Sequence, residues 1–194
     1  LEGPFPPGTW DAGTDPESQI ADEKVRACVD VSFDRTRGHV AFAGRREDGV
    51  PHVEIVASRA GTDWIVPWLT ERKALISAVT AQTNGAPVSS LIDQIREAGL
   101  TVEDWAGPDL GRGTGNFYDL VRSNGLRHLP QPVLDVAAAT AVTRPAGDAW
   151  LWDRKKSATD IAPLVAATGA VWLLNRAVEA PPVSAYETGR VEVI

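Results

Sequence analysis

Residues 25–58 read VRACVDVSFDRTRGHVAFAGRREDGVPHVEIVAS, and the order of apolar runs and turns within them decides the fold. Residues 25–33 have the β-branched, apolar composition of a strand, and Asp34-Arg35-Thr36-Arg37-Gly38 supplies a turn. Residues 39–45 form a second run, Glu47-Asp48-Gly49 a second turn, and residues 52–58 a third run. Strands joined by connections this short must run antiparallel, so the stretch predicts a three-stranded meander.

Working outward, Gly61-Thr62-Asp63 opens a helix whose Trp64, Ile65, Trp68 and Leu69 share one face. Residues 75–81 read as a strand. Residues 87–98 read as a helix with Val88, Leu91, Ile92 and Ile95 inward, closed by Gly99. A strand at 100–105 and a helix at 109–123 follow, so the later strands are joined by crossovers and lie parallel. Three antiparallel strands followed by helix, strand, helix, strand is the ribonuclease H-like arrangement, an α/β mixed sheet flanked by helices; the plainer alternative is some other α/β or α+β sheet. In it the first strand is central, between the second and the fourth. The remainder predicts a helix at 132–143, a hairpin at 144–156 and a helix at 159–176.

The two ends differ in composition. Residues 1–24 are rich in Pro, Gly, Asp and Glu, with Trp10 as an isolated anchor, and read as a linker or an arm lying over the domain. Residues 178–194 read as a C-terminal tail, with Pro181 and Pro182 ending the last helix. The domain itself is expected at 25–177. The opening Leu-Glu-Gly-Pro-Phe-Pro-Pro reads as a cut from a longer polypeptide.

With 194 residues, 43% of them apolar, the chain can bury a core without disulfides. Its single cysteine, Cys28, sits in an apolar run and reads as a small buried hydrophobe in a reducing compartment. No stretch approaches the roughly 18 apolar residues of a membrane span. The net charge of −7 argues against a stand-alone tight DNA binder and suits a site that concentrates divalent cations.

Asp30 interrupts the apolar Cys28-Val29-Asp30-Val31 in the strand expected at the centre of the sheet. A carboxylate buried there without partners costs several kcal/mol, so it calls for a cation; the plainer reading is a turn cap at the strand end. Asp160, near the start of the last helix, is on its own an ordinary complement to the helix dipole. In this fold that helix can pack on the first strand and bring the two carboxylates together. Two ions, Mg²⁺ or Mn²⁺, about 3.5–4 Å apart would then clamp the attacking water and the leaving oxygen of a phosphodiester.

Several segments, in order, resemble the nuclease half of the large terminase subunit of tailed double-stranded DNA phages. They are Arg26-Ala27-Cys28-Val29-Asp30-Val31-Ser32, Gly99-Leu100-Thr101-Val102, Phe117-Tyr118-Asp119-Leu120-Val121 and Leu126-Arg127-His128-Leu129. Pro132-Val133-Leu134-Asp135, Trp150-Leu151-Trp152-Asp153-Arg154 and Asp160-Ile161-Ala162-Pro163-Leu164-Val165-Ala166 complete the set. The likeness runs from about Trp10 to Asn175. It implies a ribonuclease H-like endonuclease that cuts concatemeric DNA during packaging, with Asp30 and Asp160 as catalytic metal ligands for Mg²⁺ or Mn²⁺.

The resemblance also implies partners: double-stranded DNA, an N-terminal ATPase domain of the same polypeptide, a portal and a small terminase subunit, all in the cytoplasm of a bacterial host. This chain has no Gly-x-x-x-x-Gly-Lys-[Ser/Thr] phosphate loop, and Gly111-Arg112-Gly113-Thr114-Gly115 reads as a flexible helix start. No hydrolysis of ATP is expected of it.

One departure stands out. The family carries an acid at the end of the fourth strand, where this sequence has Gln82 or Thr83, each offering only a neutral oxygen. Asp104 and Asp109, flanking the end of the fifth strand, are the candidate substitute ligands. Arg144, Arg154, Lys155 and Lys156 gather near the hairpin and would contact backbone phosphates without reading sequence. Asp119, Asp135, Glu54 and His128 read as structural or solvated. Two rivals stay open: another ribonuclease H-like nuclease such as a junction resolvase, and a non-catalytic docking module of the packaging motor.

Overall fold

The computed structural model describes residues 3–176; the expected tail, with Pro181 and Pro182, lies outside them. After a short helix, α1 at Thr9–Ala12, the meander forms as the sequence predicts, with β1 at Val25–Val31, β2 at Arg37–Arg45 and β3 at Pro51–Ala60. β2 pairs antiparallel with both neighbours, and Asp30 stands opposite His39, which stands opposite Ser58. A helix α2 at Ile65–Glu71 leads to β4 at Ile76–Gln82, which lies parallel to β1. A 3-10 turn at Pro87–Leu91 and α3 at Ile92–Glu97 lead to β5 at Val102–Trp105, parallel to β4. The single helix expected at 87–98 is thus two pieces, with Pro87 at the start of the tighter first turn.

The sheet order is β5-β4-β1-β2-β3-β6, so β1 is central between β2 and β4. β6 is a two-residue strand, Arg127–His128, that joins β3 in parallel after α4 at Pro108–Arg122. It is too short to show in a period-2 pattern. The chain then forms α5 at Pro132–Thr140, a separate hairpin of β7 at Thr143–Ala146 with β8 at Ala149–Trp152, and α6 at Ala162–Arg176.

Strand alternation divides the core in two. Val25, Ala27, Val29 and Val31 pack with Ile65, Leu69, Ile92 and Ile95 on the α2–α3 face. Cys28 faces the other way, into a cluster with Trp105, Phe117 and α6, and Asp30, two residues on, shares that face. Every residue from Ala162 to Leu174 is buried, as expected of a helix apolar on all sides that packs between a sheet and further elements. A Cβ on Gly169 would come within 2.5 Å of the Cys28 Sγ and 2.8 Å of the Trp105 ring, so glycine permits α6 to lie this close to β1.

The glycine run at 111–115 is not a flexible helix start. It lies inside α4, where a Cβ on Gly113 would come within 3.0 Å of Trp105 and one on Gly111 within 2.7 Å of Ala149. Near the chain's start, Trp10 stacks on His128 at 3.9 Å and donates its indole N–H to Asp135 at 2.9 Å. Phe5 packs among Trp10, Tyr118 and Trp152. Asp135 therefore acts as an acceptor for Trp10, with no side-chain cap at the start of α5. Among the described residues no helix is long and apolar enough to cross a membrane.

Candidate metal centre and nucleic-acid interface

The α6 face of the sheet carries a polar row across three strands. Asp30 on β1 has no exposed surface, and His39 on β2 is buried beside it. The His39 Nε2 donates to Asp160 Oδ2 at 2.8 Å, because a carboxylate partner fixes the hydrogen there. Its Nδ1 then accepts the Ser58 hydroxyl at 2.9 Å in the neutral ring. Asp160 Oδ1 takes the Ala162 amide at 2.9 Å, so the same carboxylate also ties the foot of α6.

β4 brings Gln82 to this face. Cys28 is level with Thr80, which sets Gln82 alongside Asp30 two residues further. Both meet the guanidinium of Arg154. Its Nη2 donates to Asp30 Oδ1 and to Gln82 Oε1, each at 2.8 Å. Its Nη1 donates to Asp30 Oδ2 and, at 3.3 Å, to the Val31 carbonyl. The arrangement is a bidentate ion pair closed by a neutral amide.

Burial lifts the Asp30 carboxyl above its usual range against the pull of Arg154. Burial also opposes the charge on Arg154, and Asp30 more than offsets it, holding the guanidinium above its usual value. Asp160 shifts the other way. Burial pushes it up, but the bonds from His39 and the Ala162 amide outweigh that and hold it below the ordinary carboxyl value.

A cavity of about 220 Å³ opens at the carboxyl edge of β1, lined by Ser32, Phe33, Asp34, Arg154 and residues 159–162. Asp34 accepts bonds from the Thr36 hydroxyl and amide and from Ser32, which lower its carboxyl. Phe33 is 59% exposed at the rim, with the Lys155 Nζ 5.6 Å above its ring.

The structure thus gathers Asp30, Asp160, Gln82 and Arg154 about one edge and leaves the other candidates elsewhere. Asp104 pairs with Arg96 of α3, on the opposite face of the sheet. Asp109 pairs with Arg112 beside Trp172 and Arg176, at the far end of α6 from Asp160. Neither lies with Asp30 and Asp160. Thr83 lies just past β4, and Gln82 is the residue that faces Asp30. Arg154, expected on phosphates, turns inward instead, because the buried Asp30 needs a counter-charge. Lys155 lies over Phe33 at the cavity rim, and Arg144 and Lys156 are exposed.

His39 and Ser58 were not singled out by the sequence, where they are an ordinary inward alternation. The signal that could have found them is the antiparallel register that sets them opposite Asp30. Among the described residues no three His, Cys, Asp or Glu side chains converge as a metal ligand set. The oxygens of Asp30 and Gln82 do converge on a cation, and the guanidinium is that cation. The donor set accordingly fits a cation between hard oxygens.

No protein-family model and no curated protein sequence matches the chain. Solved structures do. The large terminase of bacteriophage HK97 superposes over 87% of this chain with a TM-score of 0.69 at 19% identity; the chain spans 43% of that protein. The large terminase nuclease of thermophilic phage G20c matches over 88% of this chain and 97% of its own, with a TM-score of 0.60 at 9% identity. The same G20c nuclease with bound magnesium matches with a TM-score of 0.59 at 10% identity, over 84% of this chain and 93% of its own. The ribonuclease H-like fold is therefore that of large terminase nuclease domains.

Proposed function

We propose that the chain is the nuclease domain of a large terminase, an endonuclease that uses a divalent metal to cut concatemeric phage DNA during genome packaging. The observation that carries this reading is the position of Asp30. A carboxylate with no exposed surface sits in the central strand and holds the Arg154 guanidinium, which lines a cavity together with Asp160 at the foot of α6. Residues 25–177 would be the catalytic domain, joined in the full polypeptide to an N-terminal ATPase and working with a portal and a small terminase subunit in the host cytoplasm. The fold and the magnesium bound by the G20c nuclease support this reading.

Asp30 and Asp160 would hold Mg²⁺ or Mn²⁺. When bound, the ion would activate water and offset charge on the leaving oxygen. His39 orients Asp160, so that the carboxylate is presented in one rotamer. Lys155, Lys156 and Arg144 would bind the phosphate backbone, positioning DNA without reading its sequence. Cutting of supercoiled plasmid with Mn²⁺ present tests the reading: the chain should nick, and Asp30→Asn should not.

One observation favours a second reading. Gln82 and Arg154 together remove an acid and supply a cation, as expected if the fold persists as a non-catalytic docking module of the motor. Failure of the wild-type chain to cut any DNA with either ion would decide for it.

A further inference from the structure

The contact between Arg154 and Asp30 is more than a surface ion pair, and it deepens the nuclease reading on which it rests. Two-metal phosphodiesterases place a pair of cations between carboxylates. Here the buried carboxylate of the central strand already has a cation. We propose that Arg154 is a resident cation that fills one of the two cation positions, so that the site works with a single divalent ion.

Three features support residence over a displaceable plug. First, the guanidinium makes four hydrogen bonds, two to Asp30, one to Gln82 and one to the Val31 carbonyl. A guanidinium presents donors in a fixed fork, and this fork is filled on the side facing the sheet. Second, Gln82 is the matching partner. A neutral amide oxygen accepts from a guanidinium at no cost in charge, whereas toward a hard dication it lacks the charge that a carboxylate would bring. Third, the turn that carries Arg154 is braced. Asp153 is buried, and its Oδ1 accepts the Lys155 amide at 2.9 Å and the Lys156 amide at 3.1 Å.

Ser157 adds to the brace by donating to the Asp153 carbonyl at 2.6 Å and accepting the Val142 amide at 3.1 Å. A turn tied at both ends aims its arginine and does not release it. Charge leads to the same conclusion. Asp30 and Asp160 carry two negative charges and the guanidinium takes up one of them, so too little charge is left at this edge to hold a pair of dications. Adding an acid at position 82 alone would give Arg154 a second carboxylate and strengthen its hold, so recovery of a second ion needs both residues changed. Arg154 is on this account a positioning residue for the site's charge.

The test is the stoichiometry of Mn²⁺ binding by calorimetry on the purified chain, a readout independent of cutting. Wild type should bind one ion, and the double variant Arg154→Gln/Gln82→Glu should bind two. In wild type, the Arg154 side-chain N–H resonances, protected by the Asp30 pair, should persist on saturation with Mg²⁺; this needs no variant to fold. Two ions in wild type, loss of those resonances with Mg²⁺, or one ion in a folded double variant would each overturn the proposal. If wild type binds no ion and cuts no DNA, the nuclease reading falls. The Arg154 assignment then stands only if the double variant gains an ion, and falls otherwise.

Discussion

His39 and Asp160 are joined by a 2.8 Å hydrogen bond that couples a buried ring in the antiparallel half of the sheet to a carboxylate 121 positions later at the foot of the last helix. The bond, with that from the Ala162 amide, holds Asp160 below its ordinary value of 3.8 in spite of burial. A carboxyl depressed in the folded state contributes stability that is present above the unfolded value and lost as pH falls through the folded one. The Asp160 contribution should therefore be intact at neutral pH and vanish only below about pH 3.8. Replacing His39→Phe keeps a ring and removes the donor, so the acid limb of stability should move to higher pH. Melting temperatures of the metal-free proteins from about pH 2 to pH 6 check this, and parallel curves would contradict it.

The Asp30–Arg154 pair is buried on both sides, with 1% and 14% of the side chains exposed. Removing one partner leaves the other as an uncompensated buried charge, which costs about 3–5 kcal/mol. Asp30→Asn and Arg154→Gln should each destabilise by that order, and the double variant by much less than their sum. Denaturant unfolding of the three variants measures the coupling. Additive losses would mean that the two groups do not depend on each other.

Much of this was legible in the sequence. The meander at 25–58 and the crossovers after it follow from turn chemistry and apolar alternation, and the central place of β1 from the ribonuclease H-like arrangement that they imply. So does Asp30, because a carboxylate inside Cys28-Val29-Asp30-Val31 contradicts its surroundings. What could not be read is pairing at a distance. Arg154 looks like any basic residue after a hairpin, and only the packing of α6 against β1, with β8 against α4, turns it inward. Asp104 and Asp109 share the chain neighbourhood of the carboxyl edge, yet strand alternation sends one to the opposite face and helix α4 carries the other away.

Gly169 sets how near α6, and Asp160 with it, can come to β1. An added methyl would clash with Cys28 and Trp105, and overpacking of this kind costs typically about 1–3 kcal/mol. Gly169→Ala should lower the melting temperature by several degrees, about 2–4 °C for each kcal/mol lost in a domain of this size. An unchanged melting temperature would mean that α6 is free to shift outward.

Contacts to DNA should be to phosphates and therefore sensitive to salt. Each phosphate neutralised adds about −0.9 to the slope of log affinity against log salt. Lys155→Ala/Lys156→Ala should weaken binding of any duplex sequence equally and make that slope shallower by about 1–2. Titrations at several salt concentrations with two unrelated duplexes provide the check. A variant that loses one duplex and keeps the other would point to base reading.

Asp160 gives the most direct test of a metal-dependent nuclease at this edge. Its side chain is 30% exposed, and Asp160→Asn keeps an oxygen for the Ala162 amide, so the fold should survive. The measurement is the rate at which supercoiled plasmid is nicked with saturating Mn²⁺, for wild type and for Asp160→Asn confirmed folded by circular dichroism. The account predicts nicking by wild type that stops on chelation, and a loss of about 100-fold or more in the variant, the order found when one group that stabilises transition-state charge is removed. Wild-type rates in the Asp160→Asn protein, or no metal-dependent nicking by the wild type, would contradict it.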